Sequence, residues 1–300
     1  MATAFAPGRL AEASTSARSM ILGLAPYWMS AALAVASGVA AALTLLAPDV
    51  LRGTPVMNGS ARGTALVALV VALPILSVSM LLVSRGAVRP LVAWLGAAAF
   101  LQYNSVLFLL ATPFNSLFLI YVAMFALGFW TLVLLLRALD VASFASRFAP
   151  ELPVRAVAVY VAVIAVLNAG AWLAGVVPAL FTRSPAFLEG TGLTTNPIYV
   201  QDLSFWIPLM FVSAALLWRR HPWGFVLVGG MLVYFFIESI SIALDQWMGS
   251  AADPASAVAS AAFTPIFAIV AGIGLIPLYI YFRNLNRAVK LTRPMVPGPE

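Results

Sequence analysis

Long uncharged apolar stretches recur along the chain, and they constrain its fold more than any other feature. Eight of them lie near residues 27–47, 64–84, 89–111, 114–136, 154–180, 199–218, 223–244 and 259–282. An α-helix needs about 20 such residues to cross roughly 30 Å of hydrocarbon. Apolar residues make up 63% of the chain and charged residues 9%, whereas soluble domains carry roughly 25% charged residues. The sequence therefore predicts an all-α, polytopic transmembrane helix bundle with about eight spans.

The basic residues predict which ends of the spans face the cytoplasm. With the N-terminus inside, the outside loops hold only Arg52, Arg62 and Arg183 of the sixteen basic residues. The other thirteen fall on the inside, which is a strong positive-inside bias. We therefore expect a cytoplasmic N-terminal segment at 1–26, a single transmembrane domain at 27–282 and a basic cytoplasmic tail at 283–300. The apolar run at 20–47 is longer than the core of a signal peptide, so it predicts an uncleaved anchor.

Composition also excludes several kinds of chemistry. The chain has no cysteine and one histidine, His221, which argues against disulfides, thiolate ligands and multi-histidine metal sites. We expect no metal and no cofactor. The only lysine, Lys290, lies in the tail, so a retinal Schiff base within a span is excluded. The net charge of +6 is spread beside the spans rather than on one patch, so we expect a lipid bilayer and no nucleic acid as partner.

One acidic residue, Glu238, lies clearly inside a predicted span, where an ionisable side chain is costly and asks for a reason. Tyr234, Glu238, Ser241 and Asp245 have the spacing i, i+4, i+7, i+11, so they share one helical face. At 1.5 Å per residue Glu238 lies roughly 22 Å from the predicted cytoplasmic end of its span.

Other polar residues are expected at a similar depth. Gln102 and Asn104 in span three and Asn168 in span five come to roughly 20–22 Å by the same rise, while Tyr199 and Asp202 enter span six from the outside. These residues predict an outward-facing polar pocket built from spans three, five, six and seven, with Glu238 at its floor.

A structural interpretation is open for each of these residues. Gln102, Asn104 and Asn168 are typical of interhelical hydrogen bonds, which contribute about 0.6 kcal/mol on average. Asp202 and Asp245 fit simple exposure at the membrane surface. Glu238 fits either a functional group or a protonated hydrogen-bond donor to another helix.

The remaining basic residues predict contacts with the membrane surface. Arg219 and Arg220 lie in a short turn between spans six and seven, and we expect them to anchor topology and to contact lipid phosphates. Arg283, Arg287, Lys290 and Arg293 have spacings of four, three and three, which predicts one basic helical face beside anionic lipid. Five tryptophans near span ends predict an interfacial belt: Trp28, Trp206, Trp218, Trp223 and Trp247.

Residues 196–224 carry a resemblance. The run Asn196-Pro197-Ile198-Tyr199-Val200-Gln201-Asp202-Leu203, with Pro208 inside the helix and a Trp218-Arg219-Arg220-His221-Pro222 turn after it, resembles a family of bacterial multi-pass integral membrane proteins that lack an assigned activity. The resemblance implies location in a bacterial cell membrane and a multi-pass architecture, and it marks Tyr199 and Asp202 as an outer-face motif. An Ala/Leu/Val and Arg-for-Lys bias also hints at a bacterial source.

Three functions remain open. A non-catalytic accessory, sensor or assembly component, working with other membrane subunits, fits the scarcity of polar residues best. The alternative is a small-molecule or ion permease, proton-coupled through Glu238. A second alternative is a membrane-embedded enzyme acting on a lipid-type substrate with Asp202, Glu238 and Asp245. A packed Glu238 bonded to a neighbouring helix favours the accessory role, and a continuous polar crevice favours the other two.

Overall fold

Eight long apolar helices make up most of the chain. A computed structural model describes residues 23–47 and 49–285. Within those residues, eight helices are long and apolar enough to cross a membrane, as the sequence predicts. They are α1 (Leu24–Leu46), α2 (Pro55–Ser84), α3 (Arg89–Leu110), α4 (Phe118–Ala138), α5 (Val154–Thr182), α6 (Pro197–Trp218), α7 (Pro222–Ala252) and α8 (Phe263–Asn284). The protein is thus an all-α bundle with the character of a multi-pass membrane protein.

Helices α3 and α7 form the centre of the bundle, and the other helices surround them. α7 packs against α2, α3, α6 and α8, whereas α5 packs mainly on α6, and α1 packs on α2 and α4. The outer helices turn large apolar side chains outward; Leu167 of α5 is 64% exposed and Ile269 of α8 is 62% exposed. An apolar perimeter of this kind needs lipid rather than water around it.

Glycines allow α7 to approach its central neighbours closely. A Cβ atom added at Gly63 of α2 would lie 2.6 Å from the carbonyl oxygen of Leu244. One added at Gly96 of α3 would lie 2.7 Å from the carbonyl oxygen of Gly230. Only glycine fits at these crossings, because small residues let transmembrane helices pack backbone against backbone.

Two helices contain a π-helical turn, and a proline follows each turn. In α2 the turn covers Ala68–Ala72 before Pro74, and in α6 it covers Asp202–Trp206 before Pro208. Proline has no N–H group and clashes with the carbonyl group four residues earlier. The wider turn accommodates this, because the Ile207 N–H bonds the Asp202 carbonyl five residues back. The sequence predicts a tilt or kink at Pro208 in span six, and the structure has a π-helical turn just before this proline.

Two helices extend further than their apolar stretches. α2 begins at residue 55 rather than near 64, so Arg62, expected in a loop, lies on the helix. α7 runs for 31 residues to 252 rather than ending near 244, a length of about 46 Å against roughly 30 Å of hydrocarbon. The two extensions pack on each other, because Gly59 and Gly63 both meet the backbone of α7. Packing therefore continues these helices where hydropathy alone would end them.

The predicted inner end of the bundle carries three loops, at 85–88, 139–153 and 219–221. There the Arg89 guanidinium group donates to the Leu285 carbonyl at 2.9 and 3.2 Å. The Phe148 ring packs between the rings of Phe225 and Tyr281, with centroids 4.9 and 4.8 Å away. The loop between α4 and α5 is thereby fastened to α7 and α8. The opposite end is the predicted outer end.

Candidate functional site

Glu238 makes a direct contact with another helix. Its Oε2 atom accepts a hydrogen bond of 3.2 Å from Nδ2 of Asn104 on α3. The same nitrogen donates to the Phe100 carbonyl at 3.1 Å, which fixes the orientation of the amide. Asn104 is 3% exposed, while Glu238 is half-buried. The contact therefore joins the two central helices α3 and α7.

Three aromatic rings lie beside this contact. They are Tyr103 of α3, Trp206 of α6 and Tyr234 of α7. The Trp206 and Tyr234 rings stack at 4.7 Å with an angle of 10°, and Tyr103 lies 5.6 Å from the first and 5.5 Å from the second. Three helices thus meet at one aromatic cluster, one turn of α7 from Glu238.

The second acidic residue of the site, Asp202, is held by α5. It occupies the first position of the π-helical turn and is 3% exposed. Its Oδ2 atom accepts a hydrogen bond of 2.7 Å from Nε1 of Trp172. The Trp172 ring stacks on Tyr199 at 4.4 Å, and Tyr199 stacks on Phe187 of the next loop at 5.2 Å. Asp202 is therefore buried between helices rather than exposed at the membrane surface, contrary to the structural interpretation of the sequence.

Two tyrosines belong to the same region. Tyr103 precedes Asn104 on α3, Tyr234 lies one turn before Glu238 on α7, and their rings are 5.5 Å apart. The Gln201 amide, next to Asp202 on α6, donates to the Tyr103 backbone carbonyl at 3.5 Å. We call these neighbouring residues the polar cluster; its members are Tyr103, Asn104, Trp172, Asp202, Tyr234 and Glu238.

The remaining residues of the shared α7 face lie further towards the predicted outer end. Ser241 is 2% exposed. The Asp245 backbone carbonyl accepts from the Ser60 hydroxyl of α2 at 3.4 Å, and its Oδ1 atom is buried without a hydrogen bond. One face of α7 thus meets α3 and α6 at the level of the polar cluster and α2 above it.

Two of the predicted pocket residues do not join the polar cluster. Gln102 points to α4, where its Oε1 atom lies against Gly128 and is buried without a hydrogen-bond partner. The expectation that Gln102 shares a pocket with Glu238 is therefore wrong, because one residue step turns a side chain by about 100° around the helix. Asn168 is half-buried on α5, one turn before Trp172, and among the described residues it makes no side-chain hydrogen bond.

The polar cluster is covered on the side of the predicted outer end. Phe187 in the loop between α5 and α6 lies over Tyr199, and Gly190 of the same loop lies near Val258 of the next loop along that end. An open depression of about 490 Å³ does exist at this end, but no residue of the polar cluster lines it. Its walls come from the α7–α8 connection, at Trp247, Ser250, Ala251, Pro254, Ser256, Ala257, Ala259, Ser260 and Ala261.

The predicted membrane-surface residues separate into two kinds. The Arg220 guanidinium group donates to the carbonyl oxygens of Pro150 and Leu152 at 2.7 and 3.1 Å, so it fastens a loop. The side chains of Arg219 and Arg283 are exposed. The other three members of the predicted basic face, Arg287, Lys290 and Arg293, lie outside the described residues.

Three residues in or beside the polar cluster are not predicted by the sequence. Tyr103 and Trp172 carry no charge and lie in apolar runs, so nothing in the pattern distinguishes them. The sequence predicts Trp206 in the interfacial belt, but its ring stacks on Tyr234. Its position one turn after Asp202 is the one signal in the sequence.

Among the described residues, no group of three or more histidine, cysteine, aspartate or glutamate side chains could hold a metal ion. Comparison with family models, with curated proteins and with solved structures found no match. The function must therefore be argued from the polar cluster and from the surface of the bundle.

Proposed function

We propose that this chain is a non-catalytic component of a bacterial cell membrane, acting as an accessory, sensor or assembly subunit beside other membrane proteins. Both termini are cytoplasmic in this proposal, because thirteen of the sixteen basic residues then lie inside. The bundle has no extramembrane domain among its described residues, so its contacts with a partner would be made by helices.

One observation carries the proposal. Both acidic residues of the polar cluster direct a carboxyl oxygen to a donor on a neighbouring helix, Glu238 to Asn104 at 3.2 Å and Asp202 to Trp172 at 2.7 Å. Groups used in this way hold α3, α5, α6 and α7 together, as buried polar side chains commonly do in membrane bundles. A Glu238 side chain bonded to a neighbouring helix favours the accessory role over the other two functions.

Photocrosslinking in intact cells tests the proposal. Benzoylphenylalanine is introduced singly at lipid-facing positions of two outer helices, Ile269 and Ile276 of α8 and Val159 and Val166 of α5, which are 48–62% exposed. We expect the two positions on one of these helices, α5 or α8, to give one discrete protein adduct. The two positions on the other helix should give lipid adducts only, and that helix serves as the control. Lipid adducts alone at all four positions would contradict an accessory or assembly role.

A proton-coupled permease is the second candidate, and the nearness of two tyrosines to two acidic residues favours it. Tyr103 and Tyr234, whose rings are 5.5 Å apart, lie in the same cluster as Asp202 and Glu238, so several groups able to hold a proton lie close together on three helices. Acidic groups of this kind occur in the proton relays of pumps and transporters.

Purified protein in liposomes loaded with a pH-sensitive dye tests this candidate. Under an imposed proton gradient, a permease of this kind would change the luminal pH when one of a panel of small solutes or ions is added as its substrate, and Glu238→Gln would abolish that solute-dependent change. Asn168→Leu is the matched control, because Asn168 lies in the same bundle but outside the polar cluster. The non-catalytic proposal expects no difference between protein-containing and empty liposomes.

A further inference from the structure

Two neighbouring arginines at the predicted inner end have different surroundings. Arg220 has a positive φ of 53°, and its guanidinium group bonds the carbonyl oxygens of Pro150 and Leu152. Both side chains are exposed, but within residues 23–47 and 49–285 the Arg219 guanidinium group has no hydrogen-bond or ion-pair partner. The Arg219 guanidinium group is therefore available to a ligand from outside the chain.

A third arginine lies beside the same turn. The Cζ atom of Arg155, in the first turn of α5, lies 5.4 Å above the Trp218 ring at the end of α6. A cation–π contact of this kind holds a guanidinium group beside the indole ring and leaves its N–H groups available to an oxygen ligand. Apart from the ring, Arg155 has no side-chain partner in the described part of the chain. Trp218 is 48% exposed, so ring and guanidinium lie on the perimeter of the bundle.

The surface next to this pair is apolar. Val159, one turn into the span from Arg155, is 48% exposed, and Phe211 and Val212, two turns into the span from Trp218 and Arg219, are 41% and 54% exposed. The exposed apolar surface of α5 and α6 therefore adjoins the two arginines, and the acyl chains of a lipid can pack on it. A free phosphate ion would use the arginines alone, whereas a phospholipid would use both parts of the surface.

We propose that Arg155 and Arg219, arranged around Trp218, bind the phosphate of an anionic phospholipid whose acyl chains lie on the adjoining faces of α5 and α6. The guanidinium groups supply donors in a planar arrangement that suits phosphate oxygens. Arg220 is not part of the site, because its Nη2 atom holds the side chain on the loop between α4 and α5.

Native mass spectrometry of the full chain in a neutral detergent tests the site. The protein is mixed with equal amounts of phosphatidylglycerol and phosphatidylcholine, and the bound lipids are counted. We expect phosphatidylglycerol to predominate, and its excess to fall roughly fivefold for each of Arg155→Gln and Arg219→Gln, in line with the attraction of one basic residue to an anionic lipid surface. Trp218→Leu keeps both charges, and we expect it to reduce the excess by releasing Arg155.

Two controls separate a defined site from general charge. Arg85→Gln with Arg137→Gln removes two exposed arginines from the same end of the bundle, and we expect the lipid preference to remain. Arg220→Gln should lower thermal stability without changing the preference. An equal loss of phosphatidylglycerol in the Arg85/Arg137 variant would overturn the proposal in favour of diffuse attraction.

The source of the phosphate is distinguished in the same experiment. Inorganic phosphate at millimolar concentration should leave the amount of bound phosphatidylglycerol unchanged. The phosphate ion has no acyl chains, so it cannot make the contacts with the apolar surface of α5 and α6. Displacement of the lipid by inorganic phosphate would overturn the lipid assignment. Should a glutamine variant fail to fold, Arg155→Lys and Arg219→Lys retain the charge while losing the planar donors, and we expect a partial loss from them.

Discussion

Trp172 stabilises the buried carboxyl group of Asp202, because its indole N–H donates a hydrogen bond of 2.7 Å to that group. We expect Trp172→Phe to lower the free energy of unfolding in micelles by about 0.6–1.7 kcal/mol, the range for interhelical hydrogen bonds in membranes. Trp130→Phe is the control, because Trp130 is 52% exposed and faces outward. Equal stability of the two variants would mean that the hydrogen bond contributes nothing.

The Asn104–Glu238 contact can be measured by a double-mutant cycle. We expect Asn104→Leu and Glu238→Leu to be less destabilising together than the sum of the two single changes, with a coupling of about 0.6–1.7 kcal/mol. Glu238→Gln should stay near the wild-type stability, since its amide oxygen can still accept from the Asn104 amide. A coupling near zero would show that the two side chains do not interact in the folded protein.

For single residues, the sequence predicted how deep a polar side chain lies in the bundle better than which neighbouring helix it faces. Glu238 and Asn104 were expected at similar depths of the bundle, and the hydrogen bond between them agrees with this. Gln102, two residues before Asn104, points to α4 instead, because rotation around the helix depends on which neighbours pack there. Trp172 and Tyr103 were not predicted, since only the tertiary arrangement brings a polar partner to them.

At the scale of the helices, the crossing of α2 and α7 depends on the absence of a side chain at Gly63. We expect Gly63→Ala to destabilise the protein by about 1–3 kcal/mol, because an added methyl group overlaps the Leu244 carbonyl. Gly170→Ala is the matched control: it is also helical, and nothing lies within 4 Å of the added atom. Detergent-resistant thermal unfolding of both variants measures the difference, and equal melting temperatures would contradict this account of the crossing.

The number and order of the helices could be predicted because hydropathy reports directly on the solvent around each span. Their ends were harder to predict. The polar residues Ser60, Arg62 and Asp245 interrupt the apolar pattern of α2 and α7, yet both helices continue through them. The π-helical turn at Asp202–Trp206 was visible in the sequence only as a proline expected to kink the helix.

The orientation of the bundle in the membrane can be tested directly, because the chain has no cysteine of its own. Single cysteines are introduced at Ser184, in the loop between α5 and α6, and at Ser146, in the loop between α4 and α5; both residues are exposed. In intact cells we expect a membrane-impermeant maleimide to label position 184 but not 146, and to label both after permeabilisation. Labelling of 146 alone in intact cells would reverse the proposed topology.

The two acidic residues of α7 also have a consequence for how the protein is made. An aspartate at the centre of a helix opposes release from the translocon into lipid by about 2.5–3.5 kcal/mol. Asn104 on α3, which contacts the Glu238 carboxyl group, and Ser60 on α2, which contacts the Asp245 backbone carbonyl, are synthesised earlier on the ribosome. By the time α7 emerges, its polar partners are already in the bilayer. As α7 leaves the translocon, its polar groups can therefore contact α2 and α3 instead of lipid.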